Sequence, residues 1–186
     1  MAAYKKFLIQ QQTFVGDVFS DVGILVDTQA LFRVVCQECP FLHMPNVKDL
    51  AKRDWHDENG DDVYFPTDGL KYEAYDMKVK FLYVGSQEDM RSDLRNFIDF
   101  IHGRFAFNSE GAIITRISGS PVLAIYDDYT KTGRRNVYVN DVDNDFYSYD
   151  NINSHVIGSF SVKFRVNDPV TNMTYNSNTG KLVVDE

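Results

Sequence analysis

Residues Val63–Gly103 read VYFPTDGLKYEAYDMKVKFLYVGSQEDMRSDLRNFIDFIHG, a long alternating strand that runs through one sharp turn into one amphipathic helix. In Asp76–Val84, Met77, Val79, Phe81 and Tyr83 share one face while Lys78 and Lys80 take the other, the period-two pattern of a half-buried strand. Gly85-Ser86 turns the chain. Ser86 is placed to cap a helix, Asp89 stands three residues on at capping-box spacing, and Glu88 and Asp89 put negative charge at the positive end of the helix dipole. Met90, Leu94, Phe97, Ile98 and Ile101 then form one apolar face, with Arg91, Ser92, Asp93, Arg95, Asn96 and Asp99 opposite. Gly103 follows the last apolar residue, where a left-handed cap favours glycine. The spacing predicts a helix over Gln87–His102.

Almost everything else reads as strand and turn. Tyr4–Ile9 and Gly23–Asp27 are short apolar candidates, and Ala30–Cys36 reads as another strand, with a helix fitting nearly as well. After Gly103, strands are expected at Ala112–Ile117, Val122–Tyr126, Asn136–Asn140 and Phe146–Tyr149, each bounded by turn formers. In Val156–Val166, Phe160, Val162, Phe164 and Val166 alternate with Ser159, Ser161, Lys163 and Arg165; Asn167-Asp168-Pro169 stops the ladder. A short Leu182–Val184 run is expected to pair with an edge strand of this subunit or of a neighbour. Pro40–Asp62 differs in character: Pro40, Pro45, Asn46, Asn59 and Gly60 punctuate it and Asp54, Asp57, Glu58, Asp61 and Asp62 load it with charge. It reads as a long polar connection, with a helical turn near Val47–Arg53 able to shorten it.

The 186 residues suit one domain spanning 1–186. With 14 Phe and 11 Tyr, aromatic rings favour a pleated, half-buried surface. The expected architecture is mostly β, a β-sandwich or flattened barrel, with one flanking amphipathic helix. A net charge of −8 and no Lys/Arg run longer than a pair argue against tight nucleic-acid binding. No stretch approaches the about 18 apolar residues of a membrane-spanning helix, and MAAYKKFLIQQQ lacks signal-peptide character, so synthesis in the cytosol is expected.

No residue cluster rises to a reaction centre. Cys36-Gln-Glu-Cys39-Pro40 has redox or zinc-knuckle spacing, but no second pair completes a zinc site and no helix opens after it as in a thioredoxin; loop packing is the better reading. Setting Gly60 as the sixth residue of a calcium loop puts Trp55 first and Pro66 twelfth, where carboxylates are needed; Asp141-Val-Asp143-Asn-Asp145 fails likewise, with Phe146 at the glycine position and Ile152 twelfth. His43, His56, His102 and His155 are scattered, His102 at the helix C-terminus. No GxSxG, HExxH or P-loop sequence occurs. The expectation is a protein that is not an enzyme, with no cofactor, metal or catalytic residues. Trp55, in KRDWHDENGDD, reads as an anchor at the base of its loop or as a contact for another subunit.

Three segments together resemble a known family. KYEAYDMKVKFLYVGSQEDMRSDLRNFIDFIHG (Lys71–Gly103) is similar to the core of phage distal-tail and tail-tube-like proteins, SFSVKFRVNDP (Ser159–Pro169) to their strand running into Asp-Pro, and Ser20-Asp21-Val22-Gly23-Ile24 to the segment that precedes both. The resemblance implies a β-sandwich flanked by a helix, a hexameric ring in the tail of a phage or prophage, contacts with other tail proteins and no enzymatic activity. Free strand edges and the Pro40–Asp62 loop are the expected means of self-contact, and acidic residues are expected to line the channel of the ring. A β-sandwich module for a carbohydrate or surface receptor is the alternative, and a redox or metal enzyme built on Cys36 and Cys39 a third.

Overall fold

A computed structural model describes residues 5–16, 18–40, 45–54, 56, 59–114, 119–150 and 155–185. Its elements are β1 (Phe7–Val15), β2 (Val18–Asp27), α1 (Thr28–Phe32), β3 (Val34–Glu38), β4 (Lys52–Asp54), β5 (Asp61–Val63), β6 (Tyr75–Ser86) and α2 (Gln87–Ile101). There follow β7 (Ala106–Phe107), β8 (Ile113–Ile114), β9 (Val122–Asp127), β10 (Thr132–Asp150), β11 (His155–Val166), β12 (Met173–Asn176) and β13 (Lys181–Val184). Seven strands form one antiparallel sheet in the order β2-β1-β9-β10-β11-β6-β3.

That sheet is folded over on itself. Three strands separate β1 from β6, which in a flat sheet would hold them about 19 Å apart. Yet the rings of Phe7 on β1 and Phe81 on β6 lie 5.3 Å apart, edge to face. The fold line is β10. Its first residues pair with β9, as far as Val137↔Leu123, and from Val137 onward it pairs with β11. Register shifts at Arg134/Val137, Val139/Asp141 and Asn144/Phe146, with Asn136 at φ 53°, bend it from one layer into the other. On the opposite side, edge strands β2 and β3 are joined by the five residues of α1. The chain is therefore mostly β, a flattened barrel with a flanking helix, as its patterning predicts.

Helix α2 spans the two layers. Phe97 meets Phe32, Phe81 and Phe160 at 5.5–5.9 Å, and Phe100 meets Phe32 and Phe107 at 5.6 Å. Ser86 caps its start, its Oγ accepting from the Asp89 N–H at 3.2 Å. Its end is a left-handed glycine cap: Gly103 has φ +71°, its N–H reaches the Phe100 carbonyl, and the Arg104 N–H reaches the Asp99 carbonyl. A Cβ on Gly103 would come within 2.3 Å of the Ser120 backbone. The inward residues predicted for β6 (Met77, Val79, Phe81 and Tyr83) and for β11 (Phe160, Val162, Phe164 and Val166) are all buried.

Several segments depart from expectation. Ala30–Cys36 holds the end of α1 and the start of β3, because Asp27 caps a helical turn by accepting from the Gln29 N–H and Arg33 ends it at φ 56°. The strands expected at Asn136–Asn140 and Phe146–Tyr149 are one strand, β10; the residues between them are taken up by bulges, not by a turn. Of Ala112–Ile117, Ile113–Ile114 is strand and 115–118 lie outside the described residues. The Leu182–Val184 run pairs with β12, and this hairpin covers Leu8, Ala124 and Tyr126 on the outer face of the first layer.

Three consecutive glutamines, Gln10, Gln11 and Gln12, are buried on β1. Gln11 points inward beside the end of α2. Its Nε2 donates to the carbonyls of Phe100 (2.7 Å) and Phe105 (2.9 Å), and its Oε1 accepts from the Ser120 N–H (3.1 Å). One side chain thus satisfies three backbone groups at the place where helix, loop and β1 meet. Gln11→Leu strips the Phe105 carbonyl and the Ser120 N–H of this partner, while the Phe100 carbonyl keeps the Gly103 N–H; the expected cost in urea unfolding is at least about 2 kcal/mol, and a loss below about 1 kcal/mol contradicts this role.

Candidate functional site

The most unusual surface is an arm between β3 and β6. The described residues of 45–54 and 59–74 pair as a two-stranded ribbon. Val47 bridges Tyr72, the Lys48 N–H donates to the Lys71 carbonyl and the Glu73 N–H to the Asn46 carbonyl, both at 2.8 Å. Further out the Tyr64 N–H donates to the Ala51 carbonyl, and β4 pairs β5 from Lys52↔Val63 to Asp54↔Asp61. A Lys52–Asp61 ion pair at 2.9 Å and a Lys71–Asp68 ion pair decorate it. The segment read from sequence as a polar connection, with a helical turn near Val47–Arg53, is here strand-like; β4 and β5 are too short and polar to carry an alternation signal, and backbone pairing alone defines them.

No described residue of the arm is buried. It instead exposes Val47, Tyr64, Phe65, Leu70 and Tyr72, with Tyr64 at 67% and Phe65 at 65%. An isolated two-stranded ribbon is marginal in water because it has no apolar face to bury. Exposed aromatic rings on such a ribbon are the residue types enriched at protein interfaces.

Other open apolar surface lies at the β1–β2 hairpin tip, where Phe14, Val15 and Val18 are exposed. Phe14 stacks on Phe19 at 4.6 Å, and the Arg135 guanidinium sits 4.9 Å over the Phe19 ring. Arg135 is held there by Asp168 at 2.8 Å. The outward face of β6 and β11 carries mixed charge: Lys78, Lys80, Lys163 and Arg165 lie among Asp76 and Asp143, with Lys163 directly opposite Lys78. This face is not acidic.

The residues singled out by sequence do not converge. Cys36 and Cys39 are half-buried thiols packed on the core and line one cleft with Lys5, Glu38, Lys78 and Asp127. His56 is exposed beside β4, His102 caps α2, and the His155 backbone pairs with Ser86 at the far end of β11. His43, Trp55, Asp57 and Glu58 lie outside the described residues. Asp143 is engaged by Lys78, and Asp141 accepts from the Val142 N–H. Among the described residues no three His, Cys, Asp or Glu side chains gather as a metal ion requires, and no helix is long and apolar enough to cross a membrane.

No family model matches the chain, and no curated protein matches it. Five solved chains match in structure. Among them is the Dit protein of phage SPP1, described as a paradigm of the hub adsorption apparatus in phages that infect Gram-positive bacteria. It aligns with 90% of this chain at a TM-score of 0.50 and 10% identity. The chain spans about half of that protein, 52%. The fold is thus similar to that of a phage distal-tail hub protein.

Carboxylates held low by neighbouring cations or hydrogen bonds set the acid sensitivity of the fold, Asp68 beside Lys71 among them. Asp76 is held below the usual carboxylate range by the Lys163 ammonium and the Arg165 guanidinium, and Asp89 by the Ser86 hydroxyl and Arg33. Burial pushes Asp168 up, but hydrogen bonds from Arg135 and Thr171 outweigh it and leave it lowered. Depressed carboxylates stabilise the fold fully above their unfolded value of about 3.9 and lose that contribution as pH falls through their folded values. Thermal midpoints are expected to be flat in this respect down to about pH 4 and to fall steeply below it. In Asp168→Asn the fall is expected to be shallower; an identical pH profile contradicts the assignment.

Proposed function

We propose that this chain is a structural component of a phage or prophage tail, in a distal-tail or tube-like position, that works by assembling with copies of itself and with neighbouring tail proteins. The likeness to the SPP1 hub protein supports the class of molecule. The observation that carries the mode of action is the arm: among the described residues of 45–74 none is buried and five apolar side chains are exposed. Its apolar surface needs a core supplied from outside. Because the arm and the rest of the surface differ, a second copy would be met head to tail, and head-to-tail contacts close into rings when the rotation allows. The hexameric ring implied by the family resemblance, a place in the virion tail and synthesis in the host cytoplasm are parts of this reading. The protein performs no turnover in it.

The test is the mass of the particle in solution, alone and with candidate tail partners, by analytical ultracentrifugation and electron microscopy. Rings, or stoichiometric complexes with tail proteins, are expected. Tyr64→Ser combined with Phe65→Ser should change the stability of the subunit by no more than about 0.5 kcal/mol and abolish the assembly. A double variant that assembles like the parent overturns the role of the arm. A subunit that stays monomeric with every tail partner and binds glycans overturns the structural role and favours the receptor-binding alternative.

A further inference from the structure

The arm holds two places where a glycine follows a side chain able to cyclise onto it, Asn59-Gly60 and Asp68-Gly69. In each, the glycine nitrogen can attack the side-chain carbonyl carbon one residue back and close a five-membered imide. Glycine, without a Cβ, leaves that approach unobstructed. The structure treats the two sites differently. At Asp68-Gly69 both reacting groups are held. The Gly69 N–H donates to the Pro66 carbonyl at 3.2 Å, and the Asp68 carboxylate is ion-paired with Lys71, which keeps it ionised and a poor electrophile. Asn59 and Gly60 are both exposed, and among the described residues neither the Gly60 N–H nor the Asn59 amide has a hydrogen-bond partner. A Cβ built on Gly60 would meet nothing within 4 Å. Residues 55–60 join β4 to β5, too many for the two-residue turn that would lock an Asn-Gly pair in a hairpin. Other asparagines before a small residue are restrained where they are described. Oδ1 of Asn108, before Ser109, accepts from the Glu110 and Ala112 N–H groups. Oδ1 of Asn176, before Ser177, accepts from the Asn178 and Thr179 N–H groups.

We propose that Asn59 is a site of spontaneous deamidation that limits how long an unassembled subunit keeps a working arm. The Gly60 nitrogen bonds to the Asn59 Cγ, the Cγ–Nδ2 bond breaks, and ammonia leaves with the proton that the Gly60 nitrogen gives up. Water then opens the imide at either carbonyl. One opening leaves an ordinary aspartyl residue; the other leaves an isoaspartyl residue, whose backbone runs through the side chain and is one methylene longer. No electrons are transferred, and water is the only co-reactant. Either product adds a negative charge beside Asp61 and Asp62, both exposed. The longer backbone also falls two residues from Asp61, whose pairing with Asp54 ends the β4–β5 ladder. A ribbon that is marginal alone leaves this bond open to attack, and one covered by a second copy does not. That protection rests on the tail reading; the reactivity of Asn59 does not.

The test ages the purified full chain in neutral buffer, alone and assembled, and reads it by intact mass and by fragmentation of its peptides. The isolated subunit should gain about one dalton, with aspartyl and isoaspartyl forms appearing at Asn59 at least about tenfold faster than change at Asp68, Asn108 or Asn176. Asn59→Gln, whose longer side chain cannot close the five-membered ring, should stop the gain. Aged parent subunits should lose assembly in step with the modified fraction, while aged Asn59→Gln subunits keep it. Modification led by Asp68, Asn108 or Asn176, or an Asn59 that stays intact in the folded subunit while the denatured chain deamidates, overturns the site. Aged parent subunits that assemble like fresh ones, or assembled protein that deamidates as fast as the isolated subunit, overturn its role in assembly. A subunit that deamidates at Asn59 and assembles neither with itself nor with any tail partner fails the tail reading, and with it that role, while the site stands.

Discussion

The molecule depends on one bent strand. β10 belongs to both layers, pairing with β9 at its start and β11 beyond, and its bulges bring Phe7 against Phe81. Without that bend the apolar faces of β1 and β6 would point into the same open space with nothing between them. With it they enclose a core that one helix is enough to complete. The curl also places the two sheet edges close enough for a single helical turn, α1, to link them.

Closing a curled sheet with a helix leaves a polar problem at the seam, since helix ends and loop crossings carry unpaired backbone groups. The chain solves it with side chains. Gln11 serves the carbonyls of Phe100 and Phe105 and the N–H of Ser120, while the Ser120 hydroxyl donates to the Gln12 carbonyl at 2.5 Å. At the other end of α2, Arg33 bridges Asp89 and Asp93, and the Tyr83 hydroxyl donates to Asp93 at 3.1 Å. The helix is thus fixed to β1 at one end and to the α1 turn and β6 at the other. Glycines at 103 and 119 let the backbones cross closely; a Cβ on either would strike neighbouring backbone within 2.5 Å.

Much of this is legible in the sequence, for a physical reason. β6, α2 and β11 each bury one face, so hydrophobic periodicity records them, and Ser86, Gly103 and Pro169 mark their ends. The unread parts are those where burial and polarity part company. Gln10, Gln11 and Gln12 look like solvent-facing residues and are buried; Gln10 and Gln12 donate to the paired strand β2, and Gln11 finds its partners in the distant Phe100, Phe105 and Ser120. Bulges hide the continuity of β10, since each one inverts the alternation. The arm is the converse case: its strands are defined by backbone pairing among polar residues, and its apolar side chains face water.

A body with a dense aromatic core therefore carries a ribbon that has none. The central claim is that this ribbon is stabilised only by another molecule. Amide hydrogen exchange of Lys48 and Glu73, whose N–H groups close the arm ladder, tests it most directly. In the isolated subunit these amides should exchange within about 1 kcal/mol of an unstructured chain, and they should become strongly protected on assembly while β6 and β11 change little. Protection in the isolated subunit equal to that of β6 and β11 would mean the arm stands on its own, and the account would fail.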